Sequence, residues 1–308
     1  MPTIDLSAPA PAPEGTLEGL PRRVALTLPE LQLLAEKAGG APLPFELTED
    51  KGEQNSLESR LGQTRSSTED AAYVEGLGTL RDPAETLARR GLLDGDTTDS
   101  GVSGALGLLA TPAAAVDIDL NVAGARARAW HRQRDGAVAT LATADGLVFE
   151  LAWFQAPHWT DELARVPVLP EDVALGDSKV PAVVDLPYEL LDAGGEAVRS
   201  GRNDLLGTIV AHHAGSVRDE NGEAALDSTV HNLITALVGE TRGRLRAMVA
   251  DIESGGTVVG VVSWVLLADG WHSLHTRQED GVTRVAIHRV SATDLAADLG
   301  PVLAEVSA

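Results

Sequence analysis

Alternation of apolar and polar residues predicts the eight strands of two β-meanders in this chain, because successive side chains of a strand point to opposite faces. The strands fall into two groups of four, with turn residues between neighbours. The predicted strands are 114–122, 125–132, 137–143 and 147–155 in the first group, and 243–253, 257–268, 271–277 and 282–290 in the second. Each group indicates an antiparallel meander, since its connections are too short for a parallel crossover.

Other segments repeat their apolar residues every three to four positions, as one face of a helix requires. The predicted helices are 29–38, 70–80, 83–92 and 99–110 before the first meander, and 187–198, 202–216 and 224–239 before the second. Helices therefore precede each meander in the same order.

Two matched pairs of segments indicate an internal duplication. Val24–Leu31 resembles Val183–Leu190, each a short β run followed by Leu-Pro and a helical stretch. Later, Asp145-Gly146 and Asp280-Gly281 each separate two strands, and Asp-Gly favours the two-residue turn of a hairpin. A Thr-Asp helix start follows each hairpin, with Thr160 and Thr293 as predicted N-caps.

The sequence therefore predicts an α+β fold of two pseudo-symmetric halves, with a central antiparallel sheet flanked by helical bundles. We expect an N-terminal half over residues 21–170 and a C-terminal half over residues 171–308. Residues 1–20 contain an Ala/Pro run typical of a disordered tail. Residues 46–70 have almost no apolar side chains, which predicts a mobile loop.

Charge and composition narrow the classes of partner. The formal net charge of −22 disfavours binding to nucleic acid or to an anionic membrane, both of which need clustered Lys and Arg. The longest apolar run, Thr257–Ala268, is too short to span a bilayer, so we expect no membrane insertion. The absence of Cys and of a signal-peptide pattern at the N-terminus predicts a cytoplasmic protein.

Motifs that carry catalysis are missing or incomplete. Gly101-Val-Ser103-Gly104 is one residue short of a nucleophile elbow. Asp117-Ile-Asp119-Leu-Asn121 opens like a calcium loop, but Val122 stands where that loop needs Gly, so a half-buried strand is the better interpretation. Adjacent histidines on a helix diverge by about 100°, so His212 and His213 do not readily share a metal. We therefore expect no catalysis, no cofactor and no metal.

Two apolar clusters have two interpretations each. The aromatic run from Trp153 to Trp159 fits a sheet-end core or an exposed anchor patch. The stripe on the helix His231–Val238 fits core packing or a partner-binding face. Core packing is favoured for both, since every globular helix needs an apolar face.

A longer pattern lies in residues 84–120. It combines Leu87-Ala-Arg-Arg-Gly91-Leu92, then Leu106-Gly-Leu108-Leu109, then Thr111-Pro112 leading to Val116-Asp117. The Leu28-Pro29-Glu30-Leu31 and Pro42-Leu43-Pro44 segments precede it. Together these segments resemble the EspG family, the chaperones of the actinobacterial ESX (type VII) secretion systems.

The resemblance implies a function. It implies a cytosolic chaperone that binds a PE–PPE heterodimer or another helical ESX substrate and keeps it soluble and competent for export. Alternatives are a non-catalytic structural or regulatory protein of the same fold that binds itself, or an uncharacterised hydrolase. We expect a monomer or a weak homodimer.

The resemblance also implies where the partner binds. Family members grip their substrate with a loop of the first meander, here near His131–Gly136, and with the second helical bundle, here near Leu205–Val238. The implied partner-binding residues are His131, Arg132, Arg134, Leu205, Ile209, His212, Leu233, Ile234 and Leu237.

Overall fold

The structure is a computed structural model that describes residues 20–45 and 82–306. The predicted loop over 46–70 and the predicted helix over 70–80 lie outside the described residues, as does the predicted tail except for Leu20.

The first part of the chain forms a strand, a group of helices and a four-stranded meander. Its elements are β1 (Arg22–Thr27), α1 (Leu28–Lys37), α2 (Pro83–Arg89), β2 (Leu93–Asp94), β3 (Thr97–Thr98), α3 (Ser100–Ala110), β4 (Ala114–Val122), β5 (Ala125–Arg134), β6 (Ala137–Thr143), β7 (Val148–Gln155) and α4 (Trp159–Arg165). Sequence and structure agree closely in this part, with two exceptions: the short β2–β3 pair was not predicted, and Thr160, a predicted N-cap, lies inside α4.

The second part repeats that order. Its elements are β8 (Val183–Pro187), α5 (Tyr188–Arg199), α6 (Asn203–His212), α7 (Asp227–Glu240), β9 (Gly243–Asp251), β10 (Thr257–Leu267), β11 (Gly270–Glu279), β12 (Val282–Val290) and α8 (Asp294–Val306). The predicted α+β class, with antiparallel strand pairing and a repeated element order, is confirmed.

Local signals account for most element boundaries, and one turn differs. Thr27 caps α1 in a reciprocal capping box with Glu30, whose side chain accepts from the Thr27 backbone N–H at 2.9 Å. Asp280 and Gly281 both have positive φ (51° and 80°), as the predicted two-residue hairpin turn requires. At the other predicted Asp-Gly turn, Gly146 has a positive φ and Asp145 does not. The Asp145 carboxylate there accepts hydrogen bonds from the backbone N–H groups of Leu147 and Val148, which forms a wider turn.

The chain forms two compact units whose limits differ from the predicted halves. One unit contains the described residues up to Ala113 together with Trp130–Trp159, and the other contains Ala114–Ala129 together with the described residues from Thr160. The limits differ because β4 pairs with β9 along its whole length. A pairing between segments so far apart in the chain cannot be predicted from local sequence patterns.

In the first unit, helices cover one face of the strands β1, β7, β6 and β5. Phe149, Leu151 and Trp153 alternate along β7 toward this face. They pack in one buried cluster with Leu31 of α1 and Leu106 of α3. This cluster is the core of the first unit.

The second unit has helices on both faces of its strands. Val265 of β10 and Ile287 of β12 pack in one cluster with residues of α5, α6 and α7. The preceding residue of β10, Trp264, points to the opposite face, where its Nε1 donates to Asp298 of α8 at 2.8 Å. The β10 strand is therefore buried from both sides, which explains its nearly continuous apolar sequence.

Candidate partner-binding site

A groove runs between two helices of the second unit. Its first wall is one face of α5, where Tyr188, Leu191 and Gly195 recur at helical spacing. Its second wall is one face of α7, where Ile234, Leu237 and Val238 do the same. Each helix therefore presents one stripe to the space between them.

The floor of the groove is the sheet. Val265 and Ser263 of β10 lie directly opposite Arg244 and Arg246 of β9, so all four side chains point to the helix-bearing face. Leu274 of β11 lies opposite Ile287 of β12 on the same face and extends the floor.

The groove has a volume of about 820 Å³ and mixes apolar walls with a cationic margin. Its charged side chains are Asp192, Arg199, Arg244 and Arg246. Arg199 is paired with Glu196 of its own helix at 3.2 Å. A long apolar trough with charges at its margin is the shape that binds an amphipathic helix.

Glycine at the helix crossing sets the position of the α5 wall. A Cβ atom at Gly194 would lie 3.2 Å from Ile234 of α7 and 3.3 Å from Leu206 of α6. Since glycine lacks that atom, α5 packs tightly against both neighbouring helices. The next residue, Gly195, faces the groove beneath the guanidinium of Arg199.

The structure brings two of the nine implied partner-binding residues, Ile234 and Leu237, to the groove. Both are at most 6% exposed, and Leu233 on the same helix is also buried in the core cluster. The core interpretation of this helix is therefore the right one. Ile234 and Leu237 form the base of the α7 wall, and none of the three side chains offers much free surface, because all three pack in the core cluster of the second unit.

Three further implied residues share one face of α6, away from the groove lining. Leu205 is 42% exposed, His212 is exposed and Ile209 is half-buried. Their spacing of four and three residues puts them on one stripe. As contacts to a partner they remain a prediction.

The predicted loop near His131–Gly136 is a strand end. β5 continues to Arg134, and only Asp135 and Gly136 form the turn, both with positive φ. His131 and Arg132 are buried in the sheet and offer no free surface for a partner. Half-buried Arg134 donates to the Thr111 carbonyl at 2.7 Å and so holds the end of α3.

The aromatic run after β7 is mainly core. Trp153 and Phe154 are buried, as the favoured interpretation predicts. Trp159 is half-buried, and its Nε1 donates to Nδ1 of His131 at 3.0 Å. This hydrogen bond requires a neutral His131 whose Nδ1 carries no proton.

Comparison with known proteins finds a match to this chain in structure and none in sequence. No protein-family model matches the sequence, and no curated protein matches it. Among solved structures, the chain is similar to the type VII secretion system chaperone EspG5 of Mycobacterium tuberculosis, determined in complex with the PE25–PPE41 dimer. The match covers 92% of this chain and 96% of EspG5, with a TM-score of 0.60 and 13% identity.

This chain has the EspG5 fold. The resemblance noted over residues 84–120 is thus matched by a likeness that extends over most of the chain. The TM-score of 0.60 over most of both chains establishes the shared architecture, whereas an identity of 13% does not identify the contact residues, because function resides in particular sites on a shared fold.

Several groove residues, including Arg244 and Arg246, are not among the residues that the EspG resemblance implies. Arg244 and Arg246 alternate with buried Leu245 and Ala247, so the sequence does show two cations on one strand face. What the sequence does not show is that the helices stop short of β9 on this face.

The described residues contain no cluster of three or more His, Cys, Asp or Glu side chains arranged to hold a metal ion. No helix within residues 20–45 and 82–306 is both long and apolar enough to cross a membrane.

The burial of His131 predicts a pH-dependent stability. Burial, and secondly the charge of Arg132, lower the pKa of His131 to about 3. In the unfolded chain a histidine has a pKa of about 6.5, so on acidification the unfolded state takes up a proton first. The free energy of unfolding should therefore fall by about 2 kcal/mol between pH 7 and pH 5 from this group, measured by denaturant titration.

A variant isolates this contribution. His131→Asn keeps an acceptor for Trp159 and removes the titrating ring, so its unfolding free energy should vary less with pH than that of the parent. His212→Asn, at an exposed position, serves as the control and should follow the parent. Equal pH dependence in all three proteins would contradict the assignment.

Proposed function

We propose that this chain is a cytoplasmic chaperone of a type VII secretion system that binds a helical substrate, such as a PE–PPE heterodimer, and keeps it soluble until export. The observation that carries the proposal is the groove between α5 and α7. Exposed Tyr188 and half-buried Leu191 and Val238 leave apolar surface on its walls beside an open channel, which is what a partner helix needs.

The EspG5 fold supports the choice of partner. EspG5 was determined together with a PE25–PPE41 dimer, and this chain shares its fold over 92% of its length. A substrate helix with an exposed apolar face tends to aggregate in water. A strongly acidic cap, here with a net charge of −22, would mask that face and disperse the complex.

Capture followed by co-expression tests the proposal. The tagged chain is expressed in its source cells, and the proteins that it retains are identified by mass spectrometry. Each retained protein is then expressed alone and together with the chain. We expect a helical type VII substrate whose soluble fraction rises several-fold with the chain and is unchanged with an unrelated acidic protein.

Two results would overturn the proposal. One is that no type VII substrate is retained. The other is that the retained substrate stays equally soluble without the chain.

A further inference from the structure

The groove carries two cations whose side chains find no partner among the described residues. Most arginines of the second unit have an acidic partner, as Arg202 has Asp204 at 3.0 Å and Arg218 has Glu279 at 2.8 Å. The side chains of Arg244 and Arg246 have no hydrogen-bond or ion-pair partner among residues 20–45 and 82–306. Both side chains are exposed.

The nearest acidic residue across the sheet does not neutralise them. Asp119 of β4 lies directly opposite Arg246. Its carboxylate is held by the guanidinium of Arg126, with Arg128 also nearby at 3.9 Å. On the α5 wall Asp192 lines the groove but pairs with neither arginine among the described residues.

Arginine side chains without an acidic partner are unexpected in a chain with a net charge of −22. Acidic side chains outnumber Lys and Arg by 46 to 24, so a free arginine would ordinarily find a carboxylate nearby. Two free guanidiniums beside one apolar channel therefore point to carboxylates supplied from outside. Guanidinium suits this role, because its planar donors pair with a carboxylate in bidentate geometry.

The spacing of the two arginines matches a helix. Residues two apart on a strand are separated by about 6.6 Å. Side chains four residues apart on a helix rise about 6 Å along its axis. Two Glu or Asp residues at positions i and i+4 of a docked helix would thus meet the two guanidiniums together.

We propose that Arg244 and Arg246 select, for the α5–α7 groove, a partner helix whose apolar stripe is flanked by two carboxylates one helical turn apart. This inference rests on the proposed function and adds the chemistry of the partner. The apolar walls hold the stripe of the helix, and the arginines fix its register and exclude helices with a basic flank.

Designed peptides test the inference on the full chain. Three helical peptides share one apolar stripe and differ only at two flanking positions four residues apart, which carry Glu, Gln or Lys. Binding is measured by fluorescence anisotropy. We expect the Glu peptide to bind about tenfold more tightly than the Gln peptide, as two partly exposed ion pairs allow, and the Lys peptide to bind most weakly.

Variants assign the preference to the two arginines. In the double variant Arg244→Gln, Arg246→Gln the Glu and Gln peptides should bind equally. The control Lys179→Gln, Arg202→Gln removes the same charge outside the groove and should keep the tenfold preference.

The outcomes separate this inference from the proposed function. Equal binding of the three peptides to the parent, or a preference that survives the groove variant, overturns the charge selection and leaves the chaperone proposal standing. Failure of all three peptides to bind also overturns it. The chaperone proposal is overturned only by the capture and co-expression results described above.

Discussion

A tryptophan in place of Ser263 is expected to weaken binding of the captured helical partner by 100-fold or more, about 2.7 kcal/mol. Ser263 is half-buried on the groove floor, opposite Arg246. A large ring there would occupy the channel and stack on the neighbouring guanidinium. The core clusters do not include Ser263, so the folded unit should remain intact.

The matched control is Ser228→Trp, at an exposed position in the first turn of α7 outside the groove lining. This variant should bind within a factor of two of the parent. Affinity is measured by titration calorimetry, with circular dichroism to establish that each variant is folded. Parent-like affinity in a folded Ser263→Trp protein would show that the partner binds elsewhere.

The largest expected loss of stability follows from Arg284→Met, with a fall of about 3 kcal/mol in the free energy of unfolding. Arg284 is 5% exposed, bonds to the carboxylate of Asp185 and donates to the Ser216 carbonyl at 2.9 Å. Methionine has no donor to replace these bonds, so the Ser216 carbonyl and one oxygen of the Asp185 carboxylate lose the Arg284 donor, while Arg277 still bonds to the other carboxylate oxygen.

An exposed arginine of the same cluster provides the control. Arg277 also bonds to Asp185 and to Glu279, but its side chain is 44% exposed. Because water can solvate the carboxylates that lose the Arg277 guanidinium, Arg277→Met should lower the free energy of unfolding by about 1 kcal/mol or less. Denaturant unfolding of both variants measures the difference. Equal losses would mean that burial of the guanidinium is not what stabilises this region.

Local chemistry made most of the fold predictable. The Thr27–Glu30 capping box and the positive φ angles at Asp280 and Gly281 follow from side chains a few residues apart. The division into units does not follow from neighbouring side chains, because it depends on the pairing of β4 with β9, which lies more than a hundred residues later in the chain. Long-range register leaves no mark in a local pattern.

The site was less predictable than the fold. Leu233, Ile234 and Leu237 have the spacing of an apolar stripe whether they face a core or a partner. His131 lies on a strand that buries its ring, although the EspG resemblance suggested a loop. Which apolar stripe remains open depends on where neighbouring helices stop, and that is a property of the assembled unit.

Site-specific photocrosslinking in the source cells tests the groove most directly. Tyr188 is 47% exposed and lines the channel, so a benzoylphenylalanine in its place keeps an aromatic side chain at the groove wall. The same residue in place of Ser228 is the control. If the partner helix binds in the α5–α7 groove, position 188 should crosslink to a helical segment of a type VII substrate and position 228 should not. No crosslink from position 188, or equal crosslinking from both positions, would contradict it.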